Sequence, residues 1–175
     1  MKLLQSLFFL FFAASVVILP SCKKEEKGPP ALTAAALSAG RAGVRFSTST
    51  NFNGSRSFDV SNTGSTVATN TTFSSGTTRN IILEVTEMVD NTPTRKVLMN
   101  MAVKNTSSTI DLSLSSGFPL AFIKLESYSL LGIFRYSKSG TITLTKLTAT
   151  EVEGTFTATF DDGLVASNGQ FAGKF

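Results

Sequence analysis

Residues 151–160 read Glu-Val-Glu-Gly-Thr-Phe-Thr-Ala-Thr-Phe, with Val152, Phe156, Ala158 and Phe160 at alternate positions and Glu151, Glu153, Thr155, Thr157 and Thr159 between them. A period of two puts the first set on one face of a strand and the second on the other. Such a strand belongs to an antiparallel sheet that packs on a core through one side and meets water through the other. Just upstream, Ile142 and Leu144 share a face and the parity slips at Leu147, which predicts a bulge or strand end near Lys146. Thr148-Ala149-Thr150 closes the hairpin between these two strands. Downstream, Asp161-Asp162-Gly163 supplies a tight turn with a left-handed glycine position, and Val165, Phe171 and Phe175 continue on a last strand around Asn168-Gly169. The C-terminal stretch is therefore read as a three-stranded meander.

Upstream, Ile81, Leu83 and Val85 alternate, and so do Val97, Met99, Met101 and Val103 after Asp90-Asn91-Thr92-Pro93, which makes a second hairpin. Weaker strands are predicted over 44–50, 58–61, 67–73, 110–114, 122–125 and 128–136. In the last of these, Tyr128 and Tyr136 fall eight residues apart, on one face with Leu130 and Phe134, and all four are expected in the core. No long helix-period segment appears. Short strands separated by Gly, Asn and Ser turns predict an all-β antiparallel β-sandwich over 41–175, with a β-barrel as the alternative and no substantial helix outside the N-terminal segments.

Composition removes whole classes of chemistry. The 175 residues include no His, no Trp and a single Cys. Without His there is no Ser-His-Asp or Cys-His nucleophile pair and no His-containing zinc site; with one Cys there is no internal disulfide, CxxC pair or Cys-rich zinc cluster. The net charge of +4 comes from basic residues scattered along the chain, and the one cluster, Lys23, Lys24 and Lys27, is interrupted by Glu25 and Glu26, so no nucleic-acid partner is expected. Ser and Thr make up about a quarter of the chain, which fits the wet faces of sheets.

The N-terminus reads as an address. Residues 1–21, MKLLQSLFFLFFAASVVILPS, carry one Lys and an apolar run from Leu7 to Leu19. The run is short for a membrane span, which needs about 20 apolar residues, and ends at Pro20 before a charged patch; this is a secretory signal. Leu19-Pro20-Ser21-Cys22 resembles the bacterial lipobox, in which the Cys becomes a lipidated N-terminus, and the only Cys of the chain stands there. Cys22 is thus the expected triacylated residue, with the membrane as a partner through its acyl chains. Lys24, Glu25 and Glu26 resemble the export signal that sends lipoproteins of Bacteroidota to the outer face of the outer membrane; the competing reading is a solvated charged tether. Residues 22–40, with Gly28-Pro29-Pro30 and an Ala-rich run able to form at most a short helical turn, read as a lipidated spacer.

The C-terminal stretch carries a second resemblance. Gly140-Thr141-Ile142-Thr143-Leu144, Gly154-Thr155-Phe156 and Asn168-Gly169-Gln170-Phe171 look like the ending of small Bacteroidota outer-membrane lipoprotein domains of unknown function, with Ala158 where that pattern prefers an aromatic residue. The resemblance covers about the last 35 residues and implies an outer-membrane location but no activity, cofactor or ligand.

Paired carboxylates are the remaining route to catalysis. Glu151 and Glu153 alternate with the apolar positions and are expected on the solvated face; Glu84 and Glu87 fall on opposite faces of their strand; Asp161-Asp162-Gly163 lacks the spaced acids of a calcium loop. Ser74-Ser75-Gly76 and the glycines at 163 and 169 lack the Lys and helix of a phosphate cradle. No catalytic residue, metal site or cofactor is expected. The leading expectation is a non-enzymatic binding or structural module held at the outer membrane by Cys22. A carbohydrate-binding or carbohydrate-active accessory protein is the second, to be told apart by a carboxylate cleft or a row of exposed rings. A module that binds proteins by strand addition at an edge such as 67–73 is the third.

Overall fold

The computed structural model describes residues 30–62, 65–70, 78–104, 109–112, 121–128 and 132–175. A short 3-10 turn at Ala34–Ala36 precedes strands β1 (Arg41–Phe52), β2 (Ser55–Ser61), β3 (Ser65–Asn70), β4 (Thr78–Val89), β5 (Thr92–Lys104), β6 (Thr109–Asp111), β7 (Ala121–Ser127), β8 (Ile133–Leu147), β9 (Glu151–Phe160) and β10 (Val165–Lys174). Every pairing among them is antiparallel, in the order β2-β1-β10-β9-β8-β7-β5-β4-β3, with β6 added along β8. The end strand β3 and its neighbour β4 come back against β1, so the sheet nearly closes on itself. The all-β antiparallel expectation holds, and of its two arrangements the curled single sheet is the barrel.

The reason lies in β8. A sandwich needs a break between two sheets, but this strand spans both halves: residues 133–136 pair with β7 and residues 141–143 with β6, while its other edge runs along β9. The strands read separately over 128–136 and 141–147 are, from residue 133, one strand. Register shifts between Ser137 and Ser139 and between Leu144 and Lys146 bend it, the second where the parity slip predicted it.

The barrel interior holds one apolar cluster to which every strand whose side chains are described contributes, including Val44, Phe58, Leu83, Met99, Ile123, Ile142, Phe156 and Phe171. Val152, Phe156, Ala158 and Phe160 all point inward, as their alternation demands. Two tight turns set register: Asn53-Gly54, with φ of 49° and 88°, joins β1 to β2, and Asp90-Asn91, with φ of 49° and 61°, joins β4 to β5. Paired left-handed residues give the two-residue hairpin whose twist matches that of its strands. Two glycines of the C-terminal motif have a packing reason. Gly154 faces Phe171 across β9 and β10, and Gly169 faces Phe156; a Cβ at Gly154 would lie 2.5 Å from Phe171 Cζ, and one at Gly169 2.6 Å from the Phe156 ring. Each ring lies over the glycine opposite and fills the space that glycine leaves.

Polar side chains close the gap between the sheet's ends. Arg95, 5 % exposed, donates from Nη1 to the carbonyl oxygens of Phe52 (3.2 Å) and Ser57 (2.8 Å) and from Nε to Glu87 (2.6 Å), with a second bond from Nη2 to Glu87 Oε1. Asn53 Nδ2 donates to the Thr94 carbonyl at 3.1 Å. Outside the barrel, residues 31–37 lie on β9 and β10. Leu32 N–H donates to Gln170 Oε1 at 3.1 Å, Ala34 N–H donates to Glu153 Oε1 at 2.8 Å, and Ala34 and Leu37 bury against Ala172.

Candidate functional site

Strand β8 begins with its polarity inverted. Register with β7 pairs Arg135 with Leu125, whose side chain is interior, and pairs Phe134 and Tyr136 with Glu126 and Lys124. Arg135 and Ser137 therefore point in, while the two rings point out. The interior placements are held by specific bonds. Ser137, 1 % exposed, accepts the Ile123 N–H at 2.9 Å through Oγ, and Arg135 pairs with Asp162 while its guanidinium lies 5.8 Å from the Phe52 ring centroid. With those positions taken, Phe134 and Tyr136 have only the outer face.

The core placement expected for Tyr128, Tyr136 and Phe134 is therefore corrected. They are 42 %, 45 % and 48 % exposed, respectively. Tyr128 is not on the strand of Tyr136; it follows the end of β7, where its N–H donates to the Thr94 carbonyl at 3.0 Å. The eight-residue spacing misled because a chain reversal intervenes, and parity does not carry through a turn. Leu130, assigned to the same face, lies outside the described residues.

The outcome is a ring-bearing patch on the outer face of β7 and β8. Phe122 and Tyr136 pack at 6.1 Å between centroids with planes at 54°. Lys124 Nζ stands 3.8 Å from the Phe134 centroid, 5.8 Å from that of Tyr136 and 3.6 Å from Glu126 Oε2. A cation against a ring face contributes about 0.5–1 kcal/mol at an exposed site. It also places N–H donors beside the apolar ring faces.

Further along the same outer face, a groove of about 400 Å³ is lined by Thr141, Thr143, Thr155, Thr157, Asn168 and Gln170, with Phe156 and Gly169 at its base. Thr141 pairs directly with Thr157 and Thr143 with Thr155. Directly opposed strand residues have Cβ atoms about 5 Å apart, so the four hydroxyls form a two-by-two grid. Asn168, at φ 53°, occupies the bulge between Ala166 and Gly169 on β10. The alternation identified these threonines as a wet face; the hairpin at 148–150, combined with the bulge near Lys146, was the signal that placed them opposite one another.

The carboxylates are engaged elsewhere. Glu84 salt-bridges Lys96 at 2.7 Å on the outer face, while Glu87 holds Arg95 toward the interior, so the two do not meet. The Arg95 hydrogen bond holds the Glu87 carboxyl below its ordinary value against an opposing effect of burial. Glu151 and Glu153 lie on the outer face as expected, yet neither is merely solvated: Lys146 Nζ lies 2.5 Å and 3.8 Å from them, and Glu153 also anchors Ala34. Asp162 accepts the Leu164 N–H at 3.0 Å besides pairing with Arg135; burial raises its carboxyl, but those bonds outweigh it and hold it below the ordinary value. Among the described residues no three acidic, Cys or His side chains gather as metal ligands. Within the stretch read as an edge, β3 does form an end of the sheet, and residues 71–73 lie outside the described residues.

Cys22, Lys24, Glu25 and Glu26, and the glycine-bearing run at 74–76, lie outside the described residues. No family model, curated protein or solved structure matches the chain.

Proposed function

We propose that this chain is a non-enzymatic, carbohydrate-binding module held at the bacterial outer membrane by lipid on Cys22 and facing the exterior. The observation that carries the binding reading is the inverted start of β8. A barrel strand that turns Arg135 and Ser137 inward and Phe134 and Tyr136 outward gives up apolar burial, and local rules are broken in this way at functional sites. Exposed rings with polar neighbours suit sugars, whose C–H faces stack on aromatic surface while their hydroxyls take hydrogen bonds. Lys124 and Glu126 stand among the rings to supply those bonds. Strand addition at β3 is the weaker reading, because it leaves the exposed rings without a purpose.

Membrane attachment rests on the sequence: Leu19-Pro20-Ser21-Cys22 resembles a lipobox, and Lys24, Glu25 and Glu26 resemble a surface-export signal. Two or three acyl chains anchor stably, at about 0.8 kcal/mol per buried methylene, where one does not. The binding reading is tested on a glycan array with the full-length chain in detergent. Wild type is expected to retain particular glycans and a Phe134→Ala, Tyr136→Ala variant to lose them while melting within a few degrees of wild type; equal retention by both excludes the ring face. Cys22→Ala is expected to release the protein from membranes or block its processing, and normal processing with retention through a carbonate wash would contradict lipid anchoring.

A further inference from the structure

We propose that the threonine groove is a second subsite for the glycan bound by the rings, so that the ligand is an uncharged chain of several sugar units lying along β8. The inference rests on the carbohydrate reading and narrows it to a class of ligand.

Continuity along one strand comes first. The outer positions of β8 are Phe134 and Tyr136, then, past the bulge at Lys138, Ser139, Thr141 and Thr143. At about 3.3 Å per residue, the strand between Tyr136 and Thr143 covers roughly 20 Å, more than one sugar ring reaches. Lys146, ion-paired to Glu151 and Glu153, stands beyond the last threonine pair and marks the far end of the track.

The lining then selects the chemistry. No charged side chain lines the groove. A phosphate or uronate bound there would give up water without meeting a cation, and a purely apolar ligand would cover hydroxyls and leave them unpaired. The hydroxyls of Thr141, Thr143, Thr155 and Thr157 are hydrogen-bonded to no protein group among the described residues. Each both donates and accepts, as do the hydroxyls of a sugar. Gln170 has its carbonyl oxygen occupied by the Leu32 N–H, which leaves its amide nitrogen to donate, and Asn168 adds an amide from the bulge. A neutral polyol satisfies this set without an unpaired charge on either side.

The test is calorimetric titration of the full-length chain in detergent with neutral gluco- and manno-oligosaccharides from disaccharide to hexasaccharide, and with oligogalacturonate as the acidic counterpart. Affinity is expected to rise with length for a neutral series. A Thr143→Val, Thr157→Val variant, which keeps strand propensity and removes two hydroxyls, should bind the hexasaccharide about tenfold more weakly and the disaccharide unchanged. Asn168→Gly, which tolerates the left-handed backbone, should weaken the hexasaccharide in the same selective way. Tyr136→Ala should weaken both lengths. Equal affinity for short and long chains, or unchanged hexasaccharide binding by both groove variants, overturns the second subsite and leaves the ring site standing. Preference for oligogalacturonate overturns the neutral ligand. Absence of saccharide binding by wild type removes both this inference and the reading on which it rests.

Discussion

Arg95 and Glu87 show how single residues hold the barrel shut. The guanidinium is buried, lies 5.5 Å and 5.3 Å from the Phe52 and Phe58 ring centroids, and uses its donors on Glu87 and on two carbonyls of β1 and β2. Removing Arg95 leaves the half-buried Glu87 carboxylate and the Phe52 and Ser57 carbonyls without their donor, at about 1–3 kcal/mol. Arg95→Met is expected to lose that much in chemical denaturation. The Glu87 carboxyl, held below its ordinary value chiefly by the Arg95 hydrogen bond, also fixes a pH dependence. Because the folded value lies below the unfolded one, this stabilisation is complete above the ordinary carboxylate range and is lost as pH falls through the folded value. Melting temperatures should therefore fall in acid, and less steeply for Glu87→Gln than for wild type; parallel curves would show that the pair contributes nothing that titrates. Little of this was legible in the sequence. The opposite facing of Glu84 and Glu87 follows from parity, but the burial of Arg95 depends on β1 and β2, some 40 residues away in the chain.

Among the elements, β9 was the most legible and β8 the least. Glu151 to Phe160 alternates without a break, and parity alone fixes its inner face. That strand also locks its neighbour through the reciprocal placements of Gly154 under Phe171 and Gly169 against Phe156. Phe156→Ala should cost about 3–5 kcal/mol as a core truncation. Gly169→Ala should cost about 1–3 kcal/mol by overpacking the ring. Urea denaturation measures both, and a loss under 1 kcal/mol for Phe156→Ala would mean that the strand faces the other way. Strand β8 defeats the same reasoning because both of its faces offer plausible core residues at its start. Which set goes inward is decided by Asp162, beyond the following strand, and by the Ile123 N–H on the preceding one. A rule that ranks faces by apolar content selects the rings and misses the bonds that hold Arg135 and Ser137.

Across the whole molecule, the strand alternation and turns made the all-β antiparallel class legible, whereas closure required knowing that β8 serves both halves of the sheet. Among the described residues the barrel interior is packed with side chains, and the rings and the threonine groove both lie on its outside. Whether that outside carries a binding face depends on which way the start of β8 points. The chain holds no Trp and only two Tyr, and both Tyr128 and Tyr136 are on that outer surface, so its intrinsic fluorescence reports on this surface directly. Acrylamide quenching of tyrosine emission is the measurement. In the folded chain the quenching constant should approach that of the urea-unfolded chain, and a bound neutral oligosaccharide should lower it. Strong protection of both tyrosines in the folded, ligand-free protein would place them in the core and contradict the inverted strand, and with it the binding face.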